Sequence, residues 1–98
     1  MPGFELLGKE EQAEVNDLFD RSGILFRHGF DALRNGVFKV RDFEDAFKAR
    51  MGVADALAVT SGPSALRVAF AAAGIGPGDE VITQSFTFVA TVEAIIEA

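Results

Sequence analysis

The sequence predicts an α/β fold with an incomplete sheet: leading helices, then a strand-helix-strand-helix order. Three observations carry this expectation. Residues 9–21 and 40–51 repeat apolar side chains every three to four positions, the period of an amphipathic helix. Ala56-Leu57-Ala58-Val59-Thr60 and Glu80-Val81-Ile82-Thr83 are short runs bounded by turn residues, as suits strands buried in a parallel sheet. Alanine-rich or apolar stretches long enough for helices lie between and after them.

In the first helix Ala13, Val15, Leu18 and Phe19 fall on one side, with Glu10, Glu11, Glu14 and Asp17 outside. Ser22-Gly23 ends it, because glycine adopts a left-handed C-terminal conformation at little cost. Residues 24–37 mix Arg27, His28, Asp31 and Arg34 with Leu25, Phe26 and Phe30, which reads as a long, partly buried loop. Val40, Phe43, Phe47 and Met51 line the second helix, with Asp42, Glu44, Asp45, Lys48 and Arg50 on its other face, and Gly52 stops it. Pro63 fits the first position of a third helix, where its missing N–H costs least, and Gly74 ends that helix. Gly76-Pro77-Gly78-Asp79 forms a turn from a fixed proline φ and two permissive glycines. A last helix starts near Phe88 and continues through Ile95 and Ile96 to Ala98.

Composition narrows the function classes. The 98 residues are 49% hydrophobic and 24% charged, too apolar for disorder. A net charge of -6, from 15 acidic and 9 basic residues, argues against nucleic acid, which demands clustered Lys and Arg. The longest apolar run, residues 68–73, is far short of a membrane span, which takes roughly 20 residues. No secretory signal opens the chain, so a cytoplasmic location is expected. Without cysteine the chain holds no disulfide, thiolate metal site or cysteine nucleophile. His28 is the single histidine, which removes multi-histidine metal sites.

Few segments carry chemistry. Thr60-Ser61-Gly62-Pro63-Ser64 brings hydroxyls and backbone N–H groups to a helix start, the ingredients of a phosphate site. Locally an ordinary N-cap through Ser61 or Ser64 is the plainer reading. The glycines at 74, 76 and 78 do not make a dinucleotide fingerprint, since here they follow a helix and precede a strand. Neither a GxxxxGK[ST] loop nor a GxSxG elbow is present. Glu10-Glu11 and Asp79-Glu80 read as solvated faces and turn formers rather than a general acid and base. His28 beside Arg27 is either an anion contact or a surface residue. In Gln84-Ser85-Phe86-Thr87-Phe88 an aromatic can lie flat on a planar ligand at a strand end; Phe86 reads as core, and Phe88 stays open between the two.

Residues 61–91, SGPSALRVAFAAAGIGPGDEVITQSFTFVAT, resemble the SGT-x-AL...GIGPGDEVI-x-PSFTFVAT signature of the DegT/DnrJ/EryC1/StrS aminotransferases. Upstream, FELLGKEEQAEV and VRDFEDAFKARMGV resemble that family's leading helices. The resemblance implies the amino-terminal part of a fold type I transferase that uses pyridoxal 5'-phosphate: leading helices over 1–52, and the start of the sheet of the cofactor-binding large domain over 53–98. It implies that the loop matching 61–65 binds the cofactor phosphate, giving roles to Gly62, Pro63 and Ser64, and that Phe88 stacks on the pyridine ring. Two departures stand out. Pro63 replaces the usual threonine, removing one hydroxyl and one N–H, and Gln84 replaces a proline.

MPGFEL and FRHGFDALRNGVFKVRDFE resemble an octulosonate aminotransferase subgroup, whose carboxylate-bearing substrate implies Arg27, His28 and Arg34 as anion partners. The family further implies a keto-sugar substrate, an amino donor such as glutamate and a homodimer. Its Schiff-base lysine and ring-nitrogen aspartate lie downstream of these motifs; the lysines at 9, 39 and 48 match neither, so this stretch alone is expected to be inactive. The resemblance leaves open a non-catalytic module on the same scaffold, or a dehydratase with histidine replacing that lysine. Family topology also places later strands between the two present here, which leaves their edges unpaired.

Overall fold

A computed structural model describes residues 3–98; Met1 and Pro2, from the opening MPGFEL segment, lie outside the described residues. The chain divides into two compact units, one through Leu57 and one from Ala58 to Ala98.

In the first unit α1 spans Lys9–Arg21 and α2 spans Lys39–Met51, the periods the apolar spacing predicts. A Glu11 Oε2 accepts from the Gly8 N–H at 2.7 Å, closing the start of α1, and this bond lowers the Glu11 carboxyl below its usual range. At the other end the Ser22 and Gly23 N–H groups both reach the Leu18 carbonyl, with Gly23 at φ 62°. Gly52, at φ 66°, ends α2 in the same way.

The segment 24–37 is more ordered than its composition suggests. A 3-10 turn covers Asp31–Leu33, and Arg34, 3% exposed, fills the loop's interior. Its Nε donates to the Gly29 carbonyl at 2.7 Å, and its Nη2 donates to the carbonyls of Phe26 and His28. Val37, three residues on, is also buried. Lys39 reaches Glu14 at 2.5 Å and Asp17 at 2.8 Å, and Asn35 Nδ2 donates to the Arg21 carbonyl at 2.6 Å. The loop and both helices are therefore tied mostly by polar bonds.

Glu44 departs from the sequence expectation. It belongs to the face assigned to solvent, yet it is 5% exposed, because Arg27 arrives from a segment 17 residues away to pair with it. The apolar face expected of α2 is correspondingly open: Phe43, Phe47 and Met51 are all exposed.

In the second unit α3 spans Gly62–Ala72 and α4 spans Val89–Glu97, and these two helices pack together. Ala90 and Ala94 are the buried residues of α4. An Arg67–Glu97 ion pair bridges the same pair of helices. Gly62 takes the first helical position and Pro63 the next, where the missing N–H still has no helical partner to lose. The turn at 76–79 forms as expected: the Asp79 N–H reaches the Gly76 carbonyl at 3.0 Å, and the Asp79 carboxylate accepts from the Gly76 N–H at 2.8 Å. Gly78 sits there at φ 98°.

The expected strands at 56–60 and 80–83 do not form; no strand occurs among the described residues. A parallel strand exists only through bonds to neighbours, and here no ladder joins the two runs. Ile82 is 99% exposed, as a sheet residue without its sheet would be. Phe86, expected in a core, is 95% exposed for the same lack of a covering layer.

Candidate functional site

The start of α3 brings three hydroxyls together. Ser61 is extended at φ -162°, ψ 165°, and its Oγ accepts from the Ser64 N–H at 3.2 Å. Its hydroxyl in turn donates to Ser64 Oγ at 3.0 Å, and Ser64 Oγ lies 3.2 Å from Thr60 Oγ1. The ordinary N-cap reading is thus satisfied by Ser61. It consumes the Ser64 N–H, Pro63 has none, and the Ala65 N–H is spent on the Ser61 carbonyl. Within the first turn this leaves the Gly62 N–H, on an exposed residue, beside the exposed hydroxyls of Thr60 and Ser61 and the half-buried one of Ser64.

Phe88 is the N-cap residue of α4, with extended backbone (φ -69°, ψ 142°), and the residue is 76% exposed. The Thr91 N–H is bonded to its carbonyl at 3.0 Å, and the flanking Thr87 hydroxyl donates to Thr91 at 3.0 Å. The backbone carrying the ring is therefore fixed while the ring face remains open.

Arg27 and His28 meet in the first unit. Arg27 binds Glu44 through two parallel bonds, Nε to Oε1 at 2.8 Å and Nη2 to Oε2 at 2.6 Å, the fork geometry that suits a carboxylate. Hydrogen bonding to Glu44 raises the guanidinium's already high pKa, desolvation opposing it in part. Nη1 lies 3.0 and 3.3 Å from the two ring nitrogens of His28. Arg34 is not an open cation: its side chain holds the loop. Sequence pattern does not single out Glu44, because nothing local marks which carboxylate on a helix face meets an arginine from a distant loop. Thr60 lies in the hydroxyl segment that the sequence marks, but its contact with Ser64 depends on the bend into α3.

Residues 9–98 match the model of the DegT/DnrJ/EryC1/StrS aminotransferase family. The chain belongs to this family. Among curated relatives, the spore coat polysaccharide biosynthesis protein SpsC of Bacillus subtilis is 44% identical over 91 residues, covering 93% of this chain and 21% of SpsC. The 3-amino-5-hydroxybenzoate synthase of Amycolatopsis mediterranei is 48% identical over 61 residues, 62% of this chain and 16% of that protein. The UDP-2-acetamido-2-deoxy-3-oxo-D-glucuronate aminotransferase of Pseudomonas aeruginosa is 38% identical over 89 residues, 89% of this chain and 24% of that enzyme. The chain thus spans between 16% and 24% of the length of these three relatives. No helix among the described residues is long and apolar enough to cross a membrane, and no group of three metal-ligating side chains occurs among them.

Proposed function

We propose that this chain is the amino-terminal portion of a homodimeric, cytoplasmic, pyridoxal-phosphate-dependent aminotransferase that aminates a keto sugar, nucleotide-linked or an octulosonate, with glutamate as amino donor. The observation that carries the reading is the donor set at the α3 start: hydroxyls of Thr60, Ser61 and Ser64 beside the Gly62 N–H. Hydroxyls and a helix-terminal amide are the chemistry a phosphate dianion selects, so the residues present fit the cofactor's phosphate.

When bound, pyridoxal phosphate supplies a carbonyl for amine exchange and an electron-withdrawing ring. Ser64 and the Gly62 N–H hold its phosphate, while Pro63 fixes the backbone between them and donates nothing. The exposed ring of Phe88 covers one face of the pyridine and excludes water from it. His28 and the Nη1 edge of Arg27, whose Nε and Nη2 are spent on Glu44, orient an anionic group of the sugar; Arg34, buried with its Nε and Nη2 committed to carbonyls, supports them by shaping the loop. The lysine that exchanges amines and the aspartate facing the ring nitrogen are supplied by sequence outside these residues, so this stretch by itself is inactive. The same outside sequence supplies neighbours for 56–60 and 80–83, completing the α/β sheet that begins at residue 53.

The test is amine transfer by the complete protein carrying this chain. Incubated with pyridoxal phosphate, glutamate and a panel of nucleotide-linked 3-keto sugars and keto-octulosonate, it should release 2-oxoglutarate with one of them. Cofactor binding without transfer to any keto sugar overturns the aminotransferase reading, and loss of a sugar hydroxyl instead would assign a dehydratase.

A further inference from the structure

We propose that Asn35 is a site of spontaneous covalent modification: its side-chain amide is lost through a cyclic imide that the Gly36 nitrogen closes and the Arg21 guanidinium promotes. Asn35 and Gly36 are the central residues of an exposed turn, at φ 49° and 75°, closed by the Val37 N–H on the Arg34 carbonyl at 2.8 Å. In a turn closed from its fourth residue to its first, the third residue's N–H is left without a partner, and no hydrogen bond holds the Gly36 N–H among the described residues. The space around Gly36 is also open, since a Cβ there would meet no atom within 4 Å. The attacking nitrogen therefore has neither a bond to break nor a side chain in its way.

Arg21 acts on this turn twice. Its Nη2 lies 3.5 Å from the Asn35 carbonyl oxygen, which belongs to the same peptide group as the Gly36 nitrogen. When hydroxide takes the Gly36 N–H proton, the negative charge spreads over that peptide group and its oxygen, and a guanidinium beside the oxygen favours the charged form. The nitrogen then attacks Asn35 Cγ: the N–Cγ bond forms, the Cγ–Nδ2 bond breaks, and Nδ2 takes a proton from water and leaves as ammonia. Water opens the imide at either carbonyl and gives aspartate or isoaspartate. The second contact opposes the first step, because Asn35 Nδ2 donates to the Arg21 carbonyl at 2.6 Å. That bond is exposed, so the need to open it slows the reaction only about fivefold. Once the amide is gone the donor is gone too, and the new carboxylate faces the carbonyl end of α1, where the helix dipole disfavours it. The loop carrying Arg27 and His28 thereby loses this tie to α1.

Peptide mapping of the complete protein carrying this chain, incubated at mildly alkaline pH and digested with trypsin, tests the assignment. Peptide 35–39 should gain the mass difference between amide and carboxylic acid and divide into two species, one of them a substrate for isoaspartyl methyltransferase. Asn16, the chain's other asparagine, is the internal control: it lies within α1, where the following N–H is held in the helix ladder, and peptide 10–21 should keep its amide. R21M should slow the loss at Asn35 about fivefold, the size of one unit charge acting at this distance in water. Unfolding would speed the reaction, so a slower rate cannot come from a damaged fold. A persistent amide at Asn35 overturns the inference, and so does equal loss at Asn16. A rate unchanged in R21M leaves only the reactivity of any Asn-Gly pair and overturns it as well.

Discussion

The unit ending at Leu57 and the unit from Ala58 to Ala98 are held by different forces. The first is organised from polar side chains inward: Arg34 and Glu44 are its buried polar groups, and ion pairs from Lys39 tie α2 to Glu14 and Asp17 of α1. The second rests on α3 against α4 with alanines at the contact, and leaves Ile82, Phe86 and Phe88 in solvent. The difference separates support from chemistry. The charged groups of the polar unit close on one another, whereas the second unit bonds its hydroxyls at the start of α3 and leaves its apolar surface uncovered.

Substitutions sharpen this contrast. Arg34→Ala should do the most damage, about 3 kcal/mol, because it removes a buried side chain whose guanidinium gathers the carbonyls of Phe26, His28 and Gly29. Chemical denaturation should show the loss, and amide exchange should confine it to residues 24–39. An unchanged midpoint would mean that the loop does not depend on its arginine. Ala94→Leu should cost the second unit about 2 kcal/mol by overpacking the α3–α4 contact, with the polar unit unaffected. Ser61→Ala, which removes the α3 cap, should cost about 1 kcal/mol and raise amide exchange at Ser64 first.

The smallest effect is a pH dependence expected of the first unit. A hydrogen bond from Lys39, with the charges of Lys39 and Arg21 adding to it, holds the Asp17 carboxyl below its ordinary 3.8. Asp17's stabilising contribution is therefore complete above that value and disappears as pH falls through the lowered one. Hydrogen bonds to Asp17 and Glu14 hold Lys39 above 10.5, so its contribution is complete below 10.5 and disappears as pH rises through the raised value. Lys39→Met should flatten both limbs in a pH series of melting temperatures, and a profile identical to the unsubstituted chain would remove the clasp from the account.

The helices were legible in the sequence because their signals are local. Apolar spacing and the glycines at 23, 52 and 74 fix their extents to within a residue or two. The turn at 76–79 is legible for the same reason. The interior of 24–37 is not, since it depends on one arginine finding carbonyls five to eight residues back. Glu44 was indistinguishable from its exposed neighbours Asp42 and Asp45 until Arg27 reached it. The runs at 56–60 and 80–83 have strand composition, but composition supplies no partner. At the site, Thr60, Ser61, Gly62 and Ser64 follow from the strand-to-helix pattern, whereas the order in which their hydroxyls bond one another does not.

The proposed function assigns the second unit a phosphate cup and a ring platform for one cofactor. It is tested most directly by titrating pyridoxal phosphate into the complete protein carrying this chain, with Ser64→Ala and Phe88→Ala measured side by side. Each substitution should weaken binding about tenfold, the size of one charged hydrogen bond or one aromatic stacking contact, with Ser64→Ala sparing pyridoxal and Phe88→Ala weakening both ligands. Affinity unchanged by both substitutions would contradict the account.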